Sequence, residues 1–109
     1  NLALNYSGRE EIARACRQAM ADQVSPEALT PETLANYLYT AGQPDPDLII
    51  RTSGELRLSN FLLFQAAYSE LYSTSVLWPD FTADDFDLAL KDFAARERRF
   101  GTTGGDAAP

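Results

Sequence analysis

The chain has 109 residues, 45% hydrophobic and 23% charged, a globular composition that allows one domain at most and excludes a disordered chain. Its formal net charge of -7 excludes a general nucleic-acid binder, because affinity for a phosphate backbone needs a broad basic face. With no histidine and a single cysteine, Ser-His-Asp and Cys-His catalysis, an internal disulfide and a cysteine zinc site are all excluded within the chain. Cys16 falls in an alanine-rich helical pattern and reads as a small core residue. No apolar run approaches the roughly 20 residues of a spanning helix and no signal peptide is visible, so a cytoplasmic location is expected.

In chain order, Asn1–Tyr6 reads as the body of a strand without an initiator Met, which predicts that sequence continues upstream. Ser7 and Glu10 have capping-box spacing. Ile12, Ala15, Cys16, Ala19 and Met20 then predict a helix near 9–22. Thr30-Pro31-Glu32 starts a second helix, with Leu34, Tyr37 and Leu38 as its apolar face and Gly42 and Pro44 at its end. The apolar run Leu48-Ile49-Ile50 predicts a strand over 47–51, covered on both faces as in a parallel sheet. A short helix over Phe61–Ala67, capped by Ser59 or Asn60, and a strand over 70–77 follow. Thr82 caps a last helix near 83–99 with Phe86, Leu90, Phe93 and Phe100 along one stripe, and the Gly/Ala-rich residues 102–109 read as a disordered tail. The alternation predicts an α/β fold with a largely parallel sheet. Only about three strands are expected, which would leave a long open edge, so the chain reads as half of a domain.

Ligands of open parallel sheets gather beyond the carboxyl ends of the strands, where Arg51 and the loop 52–59 fall. The forked guanidinium groups of Arg51 and Arg57 suit phosphate. Ser53, Ser59, the Gly54 backbone N–H and the N-terminus of the short helix are candidates to complete an anion cradle. The same residues equally fit a surface network in which the arginines pair with Glu55 or Asp47. Glu70 can serve as an oxygen ligand for Mg²⁺ or as a solvated strand end. Asp84, Asp85 and Asp87 lack the DDxxD spacing and are explained by the helix dipole, as are Arg96, Arg98 and Arg99 at the other end of that helix.

The stretches Asp45–Glu55 and Arg57–Leu63 closely resemble the cis-prenyltransferases, and among these the bacterial undecaprenyl diphosphate synthases. So do Asn5–Ile12, Glu70-Leu71-Tyr72 through Val76–Phe81, and Arg96–Gly101, in the same order and spacing. The likeness runs over residues 1–101 and implies the C-terminal half of a single cis-prenyltransferase domain. It implies extension of an allylic diphosphate, typically farnesyl diphosphate, by isopentenyl diphosphate units with cis double bonds. It further implies Mg²⁺, a homodimer, and in bacteria a lipid carrier for cell-wall precursors, with peripheral membrane association through the product. By the resemblance, Arg51, Arg57 and Ser59 bind isopentenyl diphosphate, and Glu70 binds Mg²⁺ at a site shared between subunits. Asp47 and Glu55 match acids associated with activity. Asn5 lies near the active-site region, and Arg99 and Gly101 belong to the R-x-G element that reaches the partner.

Two departures stand out: Leu56 occupies a position where relatives often carry His or Gln, and Ser7 replaces a common Gly. The Asp-Gly-Asn-Gly-Arg-type loop that carries the catalytic aspartate of the family is not in this sequence, so the 109 residues alone are expected to be inactive. The competing readings are a non-catalytic prenyltransferase-like subunit of a heteromeric complex and an unrelated α/β anion-binding module. Product length is not legible from these residues.

Overall fold

The structure, a computed structural model, describes residues 1–96. The chain forms α1 (Gly8–Ala21), α2 (Pro31–Ala35), β1 (Leu48–Arg51), β2 (Glu70–Ser73), a 3-10 turn (Trp78–Asp80) and α3 (Ala83–Ala95). It divides into two compact units. The first is Asn1–Asp45 with Leu58–Phe64, and the second is Pro46–Arg57 with the described residues from Gln65 onward.

In the first unit, Ser7 caps α1 through its Oγ, which accepts the Glu10 N–H at 3.3 Å. The reciprocal half of the expected capping box is replaced, because the Glu10 carboxylate accepts from Arg17 Nη2 at 3.1 Å. The predicted stripe is seen in part: Ala15 and Ala19 are buried, whereas Met20 is 74% exposed. Leu38 completes the apolar core of this unit.

Two expected elements differ here. Asn1–Tyr6 is not a strand; Leu2 and Leu4 are exposed and Asn5 adopts φ 51, a left-handed torsion that breaks an extended run. The second helix ends at Ala35, and Asn36, Tyr37 and Leu38 continue as turns through N–H bonds to the carbonyl three residues back. Gly42 does terminate that run, at φ 83.

In the second unit, β1 and β2 pair in parallel with Leu48 opposite Glu70 and Arg51 opposite Ser73. This two-stranded sheet is the one among the described residues, where about three strands were expected. The predicted helix over Phe61–Ala67 is absent because Asn60 and Leu62, at φ 67 and 46, cannot enter a right-handed helix. The strand predicted over 70–77 stops at Ser73, where residues 74–76 turn to meet the loop after β1. Thr82 and Asp85 form a full capping box at the start of α3. The buried face of α3 falls on Ala89, while Phe86 and Leu90 of the expected stripe stay exposed. Arg96 ends the helix in an extended conformation, earlier than expected; 97–109, including Phe100 and the predicted tail, lie outside the described residues. No described helix is long and apolar enough to cross a membrane.

Candidate functional site

The loop after β1 is built by hydrogen bonds rather than by apolar packing. Ser53 and Gly54 both take positive φ, 66 and 73, as the two central residues of a type I′ turn do. Ser53 N–H donates to the Val76 carbonyl at 2.9 Å and Gly54 N–H to the Thr74 carbonyl at 2.8 Å. Thr74 N–H donates to the Arg51 carbonyl at 2.9 Å, and Ser73 Oγ to the Glu55 carbonyl at 2.7 Å. Residues 51–55 are thereby stitched to 73–76. The Gly54 N–H is thus committed to Thr74, which corrects its expected place in an anion cradle. The expected helix N-terminus near Ser59 is also not formed.

Arg51 stands at the carboxyl end of β1, and its Nη1 donates to the Arg57 carbonyl at 3.1 Å, closing the loop on itself. The Arg57 guanidinium is turned outward, with Nε 3.2 Å from Glu55 Oε2, and its side chain is 74% exposed. The structure therefore brings Arg51, Glu55 and Arg57 together. The Arg57–Glu55 pair of the surface-network reading is present, but an exposed ion pair is worth about 0–1 kcal/mol and is readily exchanged for a bidentate anion. Asp47 contributes its carbonyl to the Glu70 N–H at 2.9 Å. Arg99 and Gly101 lie outside the described residues.

Glu70 is placed away from these arginines. The register sets it opposite Leu48, three residues before the Arg51–Ser73 pair, about 10 Å along the strands. The alternation of side chains puts Glu70 on the sheet face of Leu48, Ile50 and Tyr72, and Arg51 on the other. Glu70 is not solvated alone: Arg96 Nη1 lies 3.3 Å from Glu70 Oε2 and also donates to the Leu71 carbonyl at 2.9 Å. Arg96 is itself gripped by Asp92, whose Oδ2 accepts from Nε at 2.7 Å and lies 2.6 Å from Nη2. Burial opposes the charge on Arg96, but the carboxylates of Asp92 and then Glu70 outweigh it and raise its pKa. As a hard oxygen donor Glu70 fits Mg²⁺, which commonly takes one or two carboxylates and completes its shell with phosphates and water. No group of three or more His, Cys, Asp or Glu that could hold a metal exists among the described residues, so Glu70 fits as a single ligand.

The first unit holds Ser59 and Asn5. Ser59 is exposed at φ 49, next to Asn60 at φ 67, consecutive left-handed residues of a kind that concentrates at functional sites. Asn60 fastens this segment to the start of α1. Its carbonyl accepts the Gly8 N–H at 2.8 Å, its Oδ1 accepts the Arg9 N–H at 2.9 Å, and its Nδ2 donates to Ser7 Oγ at 2.8 Å. A Cβ on Gly8 would lie 2.8 Å from that carbonyl.

Beside Asn5, Tyr6 donates its hydroxyl to Oε1 of Glu11, a carboxylate 1% exposed, and Oε2 accepts the Tyr39 N–H at 2.7 Å. Burial first, then the Glu11 hydrogen bond and charge, push the Tyr6 pKa well above the tyrosine range. Tyr39 and Phe61 meet the Tyr6 ring edge-on at 6.3 and 5.7 Å, and the Arg14 guanidinium sits 4.9 Å from the Tyr39 ring centre. Sequence reasoning gave Glu11, Asn60 and Arg96 no role in the site. A carboxylate at a helix position four before Ala15, on the apolar face, was the readable sign for Glu11.

Residues 1–101 match a family described as "Putative undecaprenyl diphosphate synthase". An isoprenyl transferase of Thermus thermophilus is 59% identical, over 93% of this chain and 41% of that protein. Two solved structures share the fold. The lavandulyl diphosphate synthase of Lavandula x intermedia, in complex with dimethylallyl diphosphate, superposes with a TM-score of 0.85 at 39% identity, over 93% of this chain and 45% of that one. A "probable undecaprenyl diphosphate synthase" of Campylobacter jejuni gives 0.79 at 38%, over 94% and 47%. The chain spans about two-fifths of the length of the curated relative. With a family match across nearly its whole length, and Arg51, Arg57 and Glu70 on an α/β scaffold, the chain belongs to the cis-prenyltransferase family of the undecaprenyl diphosphate synthases.

Proposed function

We propose that the full-length protein condenses isopentenyl diphosphate onto an allylic diphosphate, and that Arg51 and Arg57 bind the isopentenyl diphosphate. The observation that carries this is the loop after β1, where Arg51 braces the Arg57 carbonyl and the Arg57 guanidinium faces outward beside the Glu55 carboxylate. Such a fork matches a diphosphate and keeps its charge at any working pH. Glu55 holds Arg57 until the anion arrives. Ser59, two residues further on, is assigned a hydroxyl contact to the same diphosphate; Asp47 and Asn5 are assigned supporting roles, as are Arg99 and Gly101.

Binding through a braced loop fixes the isopentenyl group for attack, an advantage of proximity rather than of acid–base chemistry. Glu70 would hold Mg²⁺, which when bound offsets negative charge on the departing diphosphate. The placement of Glu70 at the opposite end and face from Arg51 supports a metal site completed by a second subunit, hence a homodimer. The allylic substrate is assigned as farnesyl diphosphate, and the product as a long-chain polyprenyl diphosphate of the undecaprenyl type. That product would serve as a cell-wall lipid carrier, made by a cytoplasmic enzyme that touches the membrane through it.

The test is incorporation of labelled isopentenyl diphosphate into extractable lipid by the full-length protein with farnesyl diphosphate and Mg²⁺. Incorporation that Arg57→Ala lowers supports the assignment. Absence of incorporation with any allylic diphosphate would sink the enzymatic reading.

A further inference from the structure

Arg96 carries more bonds than a residue closing a helix needs. Helix termini leave carbonyls unsatisfied, and a C-terminal arginine ordinarily turns to those of its own helix. Arg96 instead turns its fork to β2, where one nitrogen, Nη1, is shared between the Glu70 carboxylate and the Leu71 carbonyl. The other two nitrogens are taken by Asp92, one turn back on α3. Asp92, Arg96 and Glu70 thus form a carboxylate–guanidinium–carboxylate chain running from helix to strand. All three side chains are partly shielded, at 44%, 32% and 27% exposure, so solvent screens them less than it would a surface pair.

We infer that Arg96 is a positioning residue for Glu70, with Asp92 holding Arg96 in place. This rests on the proposed role of Glu70 as the Mg²⁺ ligand. The bond to the Leu71 carbonyl fixes the guanidinium relative to the backbone of the strand that carries Glu70, so the carboxylate is held in one orientation. Asp92 adds a second consequence. Arg96 alone beside Glu70 would repel a cation, whereas the three groups together carry a net charge of about −1, from two carboxylates and one guanidinium. The chain therefore orients the ligand without neutralising it. A lysine could supply the charge but not three nitrogens in one plane.

The test uses the full-length protein and Mn²⁺ in place of Mg²⁺, with inorganic diphosphate present and free Mn²⁺ followed by electron paramagnetic resonance. Arg96→Met is expected to weaken Mn²⁺ binding about tenfold, the scale on which outer-shell partners of metal ligands act. Asp92→Asn should weaken it in the same direction, and the KM for isopentenyl diphosphate at saturating Mg²⁺ should stay within about twofold in both. If Arg96→Met does not fold, Arg96→Lys decides by the same comparison. Wild-type or tighter Mn²⁺ affinity in the folded Arg96 variant, alongside its loss in Glu70→Gln, overturns the inference and leaves the role of Glu70 standing. Unchanged affinity in Glu70→Gln as well removes both.

Discussion

Tyr6 and Glu11 are locked together inside the first unit, the phenol donating to a carboxylate that is 1% exposed and that also accepts the Tyr39 backbone N–H. A buried carboxylate is tolerated only where donors satisfy it. Here the donors come from a segment with no regular structure and from the turns after α2. One side chain of α1 therefore fixes two irregular stretches, and the residue before Tyr6 is Asn5, with its left-handed backbone.

Tyr6→Phe should accordingly cost stability with little change in shape. Removing the phenolic donor from a buried carboxylate costs about 1–3 kcal/mol. The midpoint of urea unfolding of the full-length protein should fall with an unchanged m-value.

The same pair sets an alkaline limit. The folded-state pKa of Tyr6 is raised, so its contribution is fully present below the unfolded tyrosine value of about 10 and is lost as pH rises beyond it. Above that value the unfolded chain releases its proton first and stability declines with pH. The difference in stability between wild type and Tyr6→Phe should be constant from pH 7 to 9 and shrink above about pH 10. A difference that widened there would contradict the sign.

Gly8 is required by space, since its torsions are ordinary for a helix start. Gly8→Ala would push a methyl into the Asn60 carbonyl at 2.8 Å and leave 3.0 Å to Leu63 Cγ. The expected loss is about 1–3 kcal/mol. Differential scanning calorimetry should show a lowered Tm, and it should not be restored by Ser7→Gly.

Arg57→Ala separates binding from folding. Its exposed partner Glu55 makes the change in stability less than about 0.5 kcal/mol. Loss of a charge-assisted contact worth roughly 1.5–3 kcal/mol should raise the KM for isopentenyl diphosphate about 10- to 100-fold, with kcat much less affected. Steady-state kinetics with the full-length protein would check this; an unchanged KM would remove Arg57 from the diphosphate site.

What the sequence disclosed depended on how local the cause was. The start of α1, the start of α3 and the strand at Leu48–Arg51 were legible because caps and apolar runs act within a few residues. The absence of the helix expected over Phe61–Ala67 was not, because Asn60 is held left-handed by bonds to residues more than 50 positions away and Leu62 follows at φ 46. The place of Arg51 at the carboxyl end of a strand, with Arg57 in the loop beyond, was legible from the apolar run before them. Their bracing could not be, since the Gly54 N–H and Ser73 Oγ bonds depend on how β2 continues. The residues alone left Glu70 between a Mg²⁺ ligand and a solvated strand end, and only the register of the two strands revealed that it stands apart from Arg51.

The chain leaves the first unit after Asp45 and returns to it from Leu58 to Phe64. The two units are therefore interleaved along the sequence, and no single cut releases either one whole. The Arg9–Asn60 and Ser7–Asn60 bonds span 51 and 53 residues, so the first unit closes only after the β1 segment has been laid down. Such long-range closure slows the folding of the first unit. A nick in the segment 46–57 would therefore leave the first unit to be closed by two separate pieces of chain, 1–45 and 58–64.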